Sequence, residues 1–297
     1  MYWNSLNDHL KTVFGTKVYK LALSSGCSCP NRDGTLGSRG CTFCDGAGAF
    51  AEAGPIPEQL AAAKRRVAAK VGSGAKYIAY FQSFTNTYGP AERLEPLYRQ
   101  AMEPEDVVAI SIATRPDCLG EDMLDLLEQL NAVKPVWVEL GLQTIHPETA
   151  RTIRRGYDLP IFEAAVRELK RRKITVIVHQ ILGLPGENAE QMRQTARYIG
   201  QIGADGIKFH LLHVLRGTDL AEDWCKGKVQ TLELEEYIGI LEDCLRNIPR
   251  EMVIHRLTGD GAKRNLLAPL WSGDKKRVLN AIRAAFQRDD VEQGSAL

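Results

Sequence analysis

The chain alternates between two periodicities, and that alternation leaves few folds open to it. Strand-like runs occupy 17–23, 75–82, 106–113, 136–142, 174–182 and 206–214, with a further short one at 252–257. Apolar residues at helical spacing fill the intervals at 56–71, 91–102, 121–130, 161–172, 189–202 and 232–247, and again at 275–287. The strand–helix unit recurs roughly every 30 residues, the length of one parallel strand plus its crossover helix. Later strands such as 174–182 (ITVIVHQIL) are apolar on both faces, as strands buried within a parallel sheet are. An α/β fold follows, with its parallel sheet closed as a barrel or open and doubly wound. No Gly/Ser-rich or charged linker divides the 297 residues, so one domain is expected, with a fraying tail from Asp289 onward.

Composition narrows the class. With 44% hydrophobic and 25% charged residues the chain is neither disordered nor fibrous. It has no apolar run of about 18 residues, so no membrane helix is expected. Residues 1–7 show no basic stretch followed by an apolar one, so no secretory leader is expected either. The expected setting is cytoplasmic, without a membrane partner.

In both parallel architectures functional groups gather at the carboxyl ends of the strands. Here those ends, at 27–44, 82–87, 114–117, 141–144, 182–187 and 210–216, are rich in Cys, Gln, Asn, His and Gly. Four of the seven cysteines fall in the first of them, as C-x-C-x11-C-x2-C from Cys27 through Cys29 and Cys41 to Cys44. In a reducing compartment such a group signals metal or catalysis rather than disulfides. Zinc sites normally pair cysteines two to four residues apart, and the first pair here is closer. An iron–sulfur cluster also takes thiolates, and one held by three would leave an iron open to a ligand. The single Cys118, Cys225 and Cys244 read as small buried hydrophobes.

Cys29-Pro30-Asn31-Arg32-Asp33-Gly34 and Gly40-Cys41-Thr42-Phe43-Cys44 resemble the cluster loop of radical S-adenosylmethionine enzymes, in a subfamily reading CPNRDG…GCTFC. The commoner family spacing is C-x3-C-x2-C, from which the longer first interval departs. Thr85-Asn86-Thr87-Tyr88, Glu139 to Thr144, Arg154-Arg155-Gly156-Tyr157, Gly183 to Glu187 and His210 to His213 extend the resemblance over most of the chain. The chain is similar to the radical domain of the elongator catalytic subunit, and most of all to the MnmL (YtqA-like) group. This implies a partial (β/α)6 TIM-like barrel at 17–250 with the [4Fe–4S] loop at 27–44, preceded by a segment 1–16 and followed by an extension 251–297. It implies a [4Fe–4S] cluster on Cys29, Cys41 and Cys44, with Cys27 a bystander, and S-adenosylmethionine as cosubstrate. The implied reaction converts 5-carboxymethylaminomethyluridine to 5-aminomethyluridine at tRNA position 34. Partners would be the tRNA anticodon loop and a reductant such as flavodoxin or ferredoxin. The acetyltransferase domain of the elongator subunit has no counterpart, so acetyl transfer is not expected.

The resemblance places Phe43, Gln82 and the turn Gly183-Leu184 at the cofactor. Glu139 and Gln143, four residues apart on one strand, share a face and are expected in the lumen, and Arg155 is a candidate for gripping a carboxylate bidentately. Lys208 and His210 alternate on the sixth strand and share a face; with Tyr80 they are the candidate catalytic residues. His213 and Arg216 follow at the strand end, in reach of a phosphate or carboxylate. Tyr80, Phe81, Phe84 and Tyr88 are candidates for stacking a base. A tRNA-binding rim would draw on Lys64-Arg65-Arg66, Arg151 to Arg155, Lys170 to Lys173, Lys263-Arg264 and Lys275-Lys276-Arg277, because the net charge of +1 offers no general attraction. Two other readings stand beside this one: radical chemistry on a small molecule or protein, and a zinc-stabilised nucleic-acid-binding module without catalysis.

Overall fold

The apolar runs form the strands of one curled sheet. The computed structural model describes residues 2–46, 54–72, 74–259 and 263–297. Strands β1 (Val18–Leu23), β2 (Lys76–Phe81), β3 (Val107–Thr114), β4 (Val136–Gln143), β5 (Thr175–Leu182) and β6 (Gly206–Leu211) pair in parallel, each beside the next. After a two-residue strand β7 (Val214–Leu215), β8 (Val253–Arg256) pairs in parallel with β6 as the seventh strand. β7 pairs antiparallel with β9 (Leu266–Ala268) in a separate ribbon. Strand order follows chain order without reversal, so the sheet curls into a half-barrel instead of an open doubly wound sheet.

The helices are α1 (Leu6–Phe14), α2 (Ile56–Val67), α3 (Ala91–Met102), α4 (Glu121–Asn131), α5 (Pro147–Thr152), α6 (Leu159–Arg171), α7 (Ala189–Gln201), α8 (Asp219–Cys225), α9 (Leu234–Arg246) and α10 (Lys275–Arg288). Alternate strand residues, including Leu21, Leu23, Phe81, Val138, Val178 and Phe209, form one core with helix residues such as Leu60, Tyr98, Phe162 and Leu241. The opposite faces of the strands turn inward. At the amino end of the barrel Ile78, Ala109, Trp137 and Ile177 make an apolar layer, closed by Leu10 of α1. Two residues further along, the same faces present Tyr80, Ser111, Glu139 and His179, so an apolar plug is followed by a polar layer.

Several expectations change. The alternation pattern does not predict α1, yet Ser5 caps its start by accepting from Asp8 N at 3.2 Å and Gly15 ends it at φ +71°. The tail beyond Asp289 does not fray: Val291 and Gln293 are buried. The Gln293 amide donates to the carbonyls of Pro249 and Met252, at 2.6 and 2.9 Å, and its Oε1 accepts from Asn4 N at 2.9 Å. The two chain ends thus meet over β8, whose Ile254 N donates to Asn4 O at 2.8 Å. The helix expected over 56–71 ends at Val67 in a 3-10 turn, and the strand expected over 206–214 breaks after Leu211. Cys244 is buried, but Cys118 is only partly so and Cys225 is exposed. Among the described residues no helix is long and apolar enough to cross a membrane.

Candidate active site

The chain leaves β1 at the carboxyl end of the barrel and enters a loop held by turns. Arg32 N and Asp33 N donate to Cys29 O at 2.8 and 3.2 Å, Gly40 N to Asn31 O at 2.7 Å and Cys44 N to Cys41 O at 3.1 Å. Thr42 anchors the loop outward, donating to Ile153 O at 3.1 Å and accepting from Leu220 N at 2.9 Å. The buried Asn31 amide reaches the carbonyls of Arg154 and Arg155 at 2.8 and 3.2 Å and Cys41 Sγ at 3.4 Å. Gly156 makes this possible: its φ is +84°, and a Cβ there would lie 2.6 Å from Asn31 Oδ1. Gly156→Ala is therefore expected to cost about 1–2 kcal/mol in backbone strain and to dislodge Asn31. Iron per chain after anaerobic reconstitution should fall, while Gly120→Ala, with open space around its Cβ, should retain it.

Cys29, Cys41 and Cys44 line one cavity of about 480 Å³. Cys27 does not: it belongs to the hydrophobic core, and its Sγ accepts from Arg93 at 2.9 Å. Among the described residues no three His, Cys, Asp or Glu side chains converge as ligands of a single metal ion would. An iron–sulfur cluster makes a different demand, since each thiolate binds its own iron around a shared group. The donor set fits that demand: three soft thiolate donors on one wall, with Arg32 beside them. Burial opposes the Arg32 charge, yet Cys44, Cys29 and Cys41 hold its pKa above the usual guanidinium value. Burial also pushes the Cys41 thiol up, partly countered by the Asn31 hydrogen bond. Cationic neighbours of this kind favour bound thiolate.

The floor of the cavity is the polar layer of the barrel, and Glu139 is its centre. Glu139 is fully buried. Its Oε1 accepts from Lys20 Nζ and Ser111 Oγ, both at 2.7 Å, and its Oε2 from His179 Nε2 at 2.7 Å, Lys208 Nζ at 2.8 Å and the Tyr80 hydroxyl at 3.1 Å. Lys208 Nζ also donates to the Tyr80 hydroxyl at 2.7 Å. Strand register assembles this set, because His179 pairs with Lys208 and Lys208 with Arg256 across neighbouring strands. Burial alone would raise the Glu139 pKa, but Lys20 and Lys208 hold it well below the carboxylate range. Burial pushes Lys208 down to about 7, because one carboxylate is shared with Lys20 and Arg256 lies nearby. Burial, with the Lys208 charge, takes His179 down to about 4, and burial beside His179 takes His210 well below the imidazole range. Tyr80 is pushed well above the phenol range by burial and by Glu139.

The cavity brings together most of the residues expected at the site: Phe43, Tyr80, Gln82, Glu139, Gln143, Arg155, Lys208, His210 and His213 all line it. Gln143 lines the cavity with Glu139 although β4 bulges between Gly141 and Gln143, and its backbone is left-handed at φ +69°. Phe84, at the rim, is also left-handed at φ +60° and remains exposed. Left-handed backbone at two side chains of one cavity fits the tendency of functional sites to store strain. Arg155 differs from expectation. Its guanidinium donates to the carbonyls of Leu142, Thr144 and Tyr157 and stacks on the Tyr157 ring, so backbone carbonyls take four of its five N–H groups. Glu139 likewise spends both carboxylate oxygens on the floor network. Gly183 and Leu184 lie outside the cavity lining. Leu184 is buried with Ile153 and Leu212, and Phe43 packs against that group, so the turn supports the wall from behind.

Lys20, Ser111, Arg115 and Arg256 also belong to the site, and the motifs do not single them out; His179, which shares the family resemblance with Gly183 to Glu187, joins them there. Their signal in the sequence is a lone polar residue inside an apolar strand, as in VYKLAL and TVIVHQIL. The basic runs are largely tied up locally: Lys64 with Asp106, Arg151 with Glu148, Arg154 with Asp219, Lys170 with Asp205, and Arg172 with Glu121 and Glu168. Lys263 and Arg264 remain exposed beside β9. Tyr88 lies outside the cavity lining, its hydroxyl 2.8 Å from Thr35 Oγ1, and Phe81 is buried in the core.

Comparison with known proteins agrees with this geometry. A model of the Radical SAM superfamily matches residues 34–199, and one of the Radical_SAM C-terminal domain matches residues 204–288. The chain is 44% identical over 296 residues to "Uncharacterized protein YtqA" of Bacillus subtilis (strain 168), covering 98% of this chain and 92% of that one. It is 30% identical over 156 residues to the tRNA uridine(34) acetyltransferase of Methanocaldococcus jannaschii, covering 52% of this chain and 28% of that one. The solved structure of the archaeal Methanocaldococcus infernus Elp3 with an N-terminal deletion superposes with a TM-score of 0.72 at 18% identity, over 93% of this chain and 64% of that one. Enzymes of the matched family use a [4Fe–4S] cluster and S-adenosylmethionine. With the family model covering more than half its length and a relative alike from end to end, the chain belongs to the radical S-adenosylmethionine superfamily.

Proposed function

We propose that the chain modifies the wobble uridine of tRNA, converting 5-carboxymethylaminomethyluridine, with or without a 2-thio group, to 5-aminomethyluridine and releasing glyoxylate. The likeness to a tRNA uridine(34) acetyltransferase over half the chain supports the substrate class. The observation that carries the chemistry is one cavity with three cysteines on its wall and a buried, hydrogen-bonded floor of ionisable side chains. Cys29, Cys41 and Cys44 would hold the cluster, and Gln82, Gln143 and Phe43 line the wall where S-adenosylmethionine would lie. When bound, these would supply the two-electron oxidation of the substrate methylene to a C=N bond, and water would hydrolyse that bond to release the amine and glyoxylate.

The chain's own residues do the rest. Phe84 and Tyr157 line the cavity at its rim and wall. Lys208 holds a proton near neutral pH and gives it to the amine that is freed, while Glu139 and Tyr80 fix its position. The exposed Lys263 and Arg264 are available to tRNA phosphates. A flavodoxin or ferredoxin would supply the electron, in a cytoplasmic setting. Reduced, cluster-loaded protein should form 5′-deoxyadenosine at least about tenfold faster with tRNA carrying the carboxymethylaminomethyl group than without it. Equal rates with and without that tRNA would favour a small-molecule or protein substrate instead.

A further inference from the structure

The floor of the cavity carries more positive charge than its own acid can answer. Glu139 is the one anion of the layer among the described residues, and two ammonium groups, Lys20 and Lys208, share it. Both Glu139 oxygens are already fully used. Lys208 spends two of the three N–H groups an ammonium has, on Tyr80 and Glu139. His210, two residues along the same face of β6, has a buried Nε2 with no hydrogen-bond partner among the described residues. Its ring leans on His179 at 4.9 Å between centroids, so His179 and the Glu139 network hold it in place. A buried ring nitrogen without a partner, beside a surplus cation and facing the cavity, suits an anion in the tautomer that puts the ring proton on Nε2.

We infer that this floor is a carboxylate-binding subsite, in which Lys208 and His210 hold the acid group of the substrate through charge-assisted hydrogen bonds. The inference deepens the proposed function, on which it rests for the identity of the substrate. It assigns the floor a selective role: a wobble uridine whose side chain ends in an amine, a methyl group or an amide lacks the group that seats it. The incoming carboxylate stabilises the Lys208 ammonium, and once water has added to the oxidised C=N bond that proton passes to the nitrogen as the C–N bond breaks, freeing the amine and glyoxylate. Two molecules in the reaction bear a carboxylate, S-adenosylmethionine and the modified uridine, and the arms of the test separate them.

The test compares anticodon stem-loops bearing carboxymethylaminomethyluridine with stem-loops bearing its carboxamide. Binding to cluster-loaded protein is read by fluorescence anisotropy and turnover by nucleoside mass. Wild-type protein should prefer the acid at least about tenfold, mostly in KM, and Lys208→Met should bring the two substrates close to parity. His210→Phe should lower the preference by a smaller factor, which keeps the test open should the lysine variant fold poorly. If acid and amide bind and react alike with the wild type, the subsite is overturned while the tRNA reading stands. The subsite is overturned equally if Lys208→Met weakens only S-adenosylmethionine binding, which would assign the floor to the cosubstrate. If neither stem-loop is modified but N-methylglycine stabilises the wild type against heat and not Lys208→Met, the tRNA reading falls and the subsite is supported.

Discussion

Serine at Cys29, Cys41 or Cys44 should each abolish cluster retention and 5′-deoxyadenosine formation, whereas Cys27→Ser should keep both. The four thiols lie within 18 residues of sequence, and spacing alone does not say which three act. The fold separates them. Cys27 faces the core with Leu23, Ile56 and Tyr98 and accepts from Arg93, while the other three face the cavity. Serine at position 27 should cost about 1 kcal/mol of stability, the usual scale of a small core change, without loss of iron. Iron and sulfide analysis with the visible spectrum of each reconstituted variant decides the matter. A Cys27→Ser protein devoid of iron, or a Cys29→Ser protein with a full cluster, would reverse the assignment of these two residues.

The second large effect is expected at Glu139, where one substitution exposes the balance of charge in the barrel. Glu139→Leu strands Lys20 and Lys208 in a buried layer without a counter-ion and leaves Ser111, Tyr80 and His179 without the carboxylate they share. Removing one partner of a buried ionic group costs about 3–5 kcal/mol, so urea denaturation should show a loss of that size. Lys208 bears the larger share, because its side chain is 5% exposed against 21% for Lys20. The pH dependence has a definite direction. Glu139 titrates lower in the folded chain than in the unfolded one. Its contribution is therefore whole at neutral pH and is lost as pH falls below the ordinary carboxylate range toward the lowered folded value. Glu139→Leu should flatten that acid limb of the stability profile. A change under about 1 kcal/mol would show that the layer is hydrated and its charges independently solvated.

The parts of the fold legible in the sequence are those where burial writes a pattern. The strands of the sheet read as apolar runs because helices cover one face and the plug or the cavity the other. Glu139, Lys208 and His210 are legible by the alternation that puts Glu139 with Gln143 and Lys208 with His210 on one face of a strand, and Tyr80 by its place among the aromatics near the end of β2. Elements fixed by distant contacts are not legible. Helix α1 is only nine residues long and is fixed by packing Leu6, Leu10 and Phe14 on the plug, and the tail is ordered by Gln293 bonding to Asn4, Pro249 and Met252. Lys20, His179 and Arg256 are single polar residues in separate strands, and only the register of the sheet makes them one site. Arg155 carries the charge for binding an acid, but the φ +54° turn at Arg154 directs it into three carbonyls, a backbone event that residue type does not announce.

Nucleoside mass analysis of the tRNA after anaerobic reaction puts the proposed conversion to its sharpest test. Reduced, cluster-loaded protein given S-adenosylmethionine and tRNA bearing 5-carboxymethylaminomethyluridine should yield 5-aminomethyluridine at position 34, with one glyoxylate and one 5′-deoxyadenosine per nucleoside converted. Production of 5′-deoxyadenosine with the wobble uridine unchanged, or of glycolate or acetate in place of glyoxylate, would contradict that conversion.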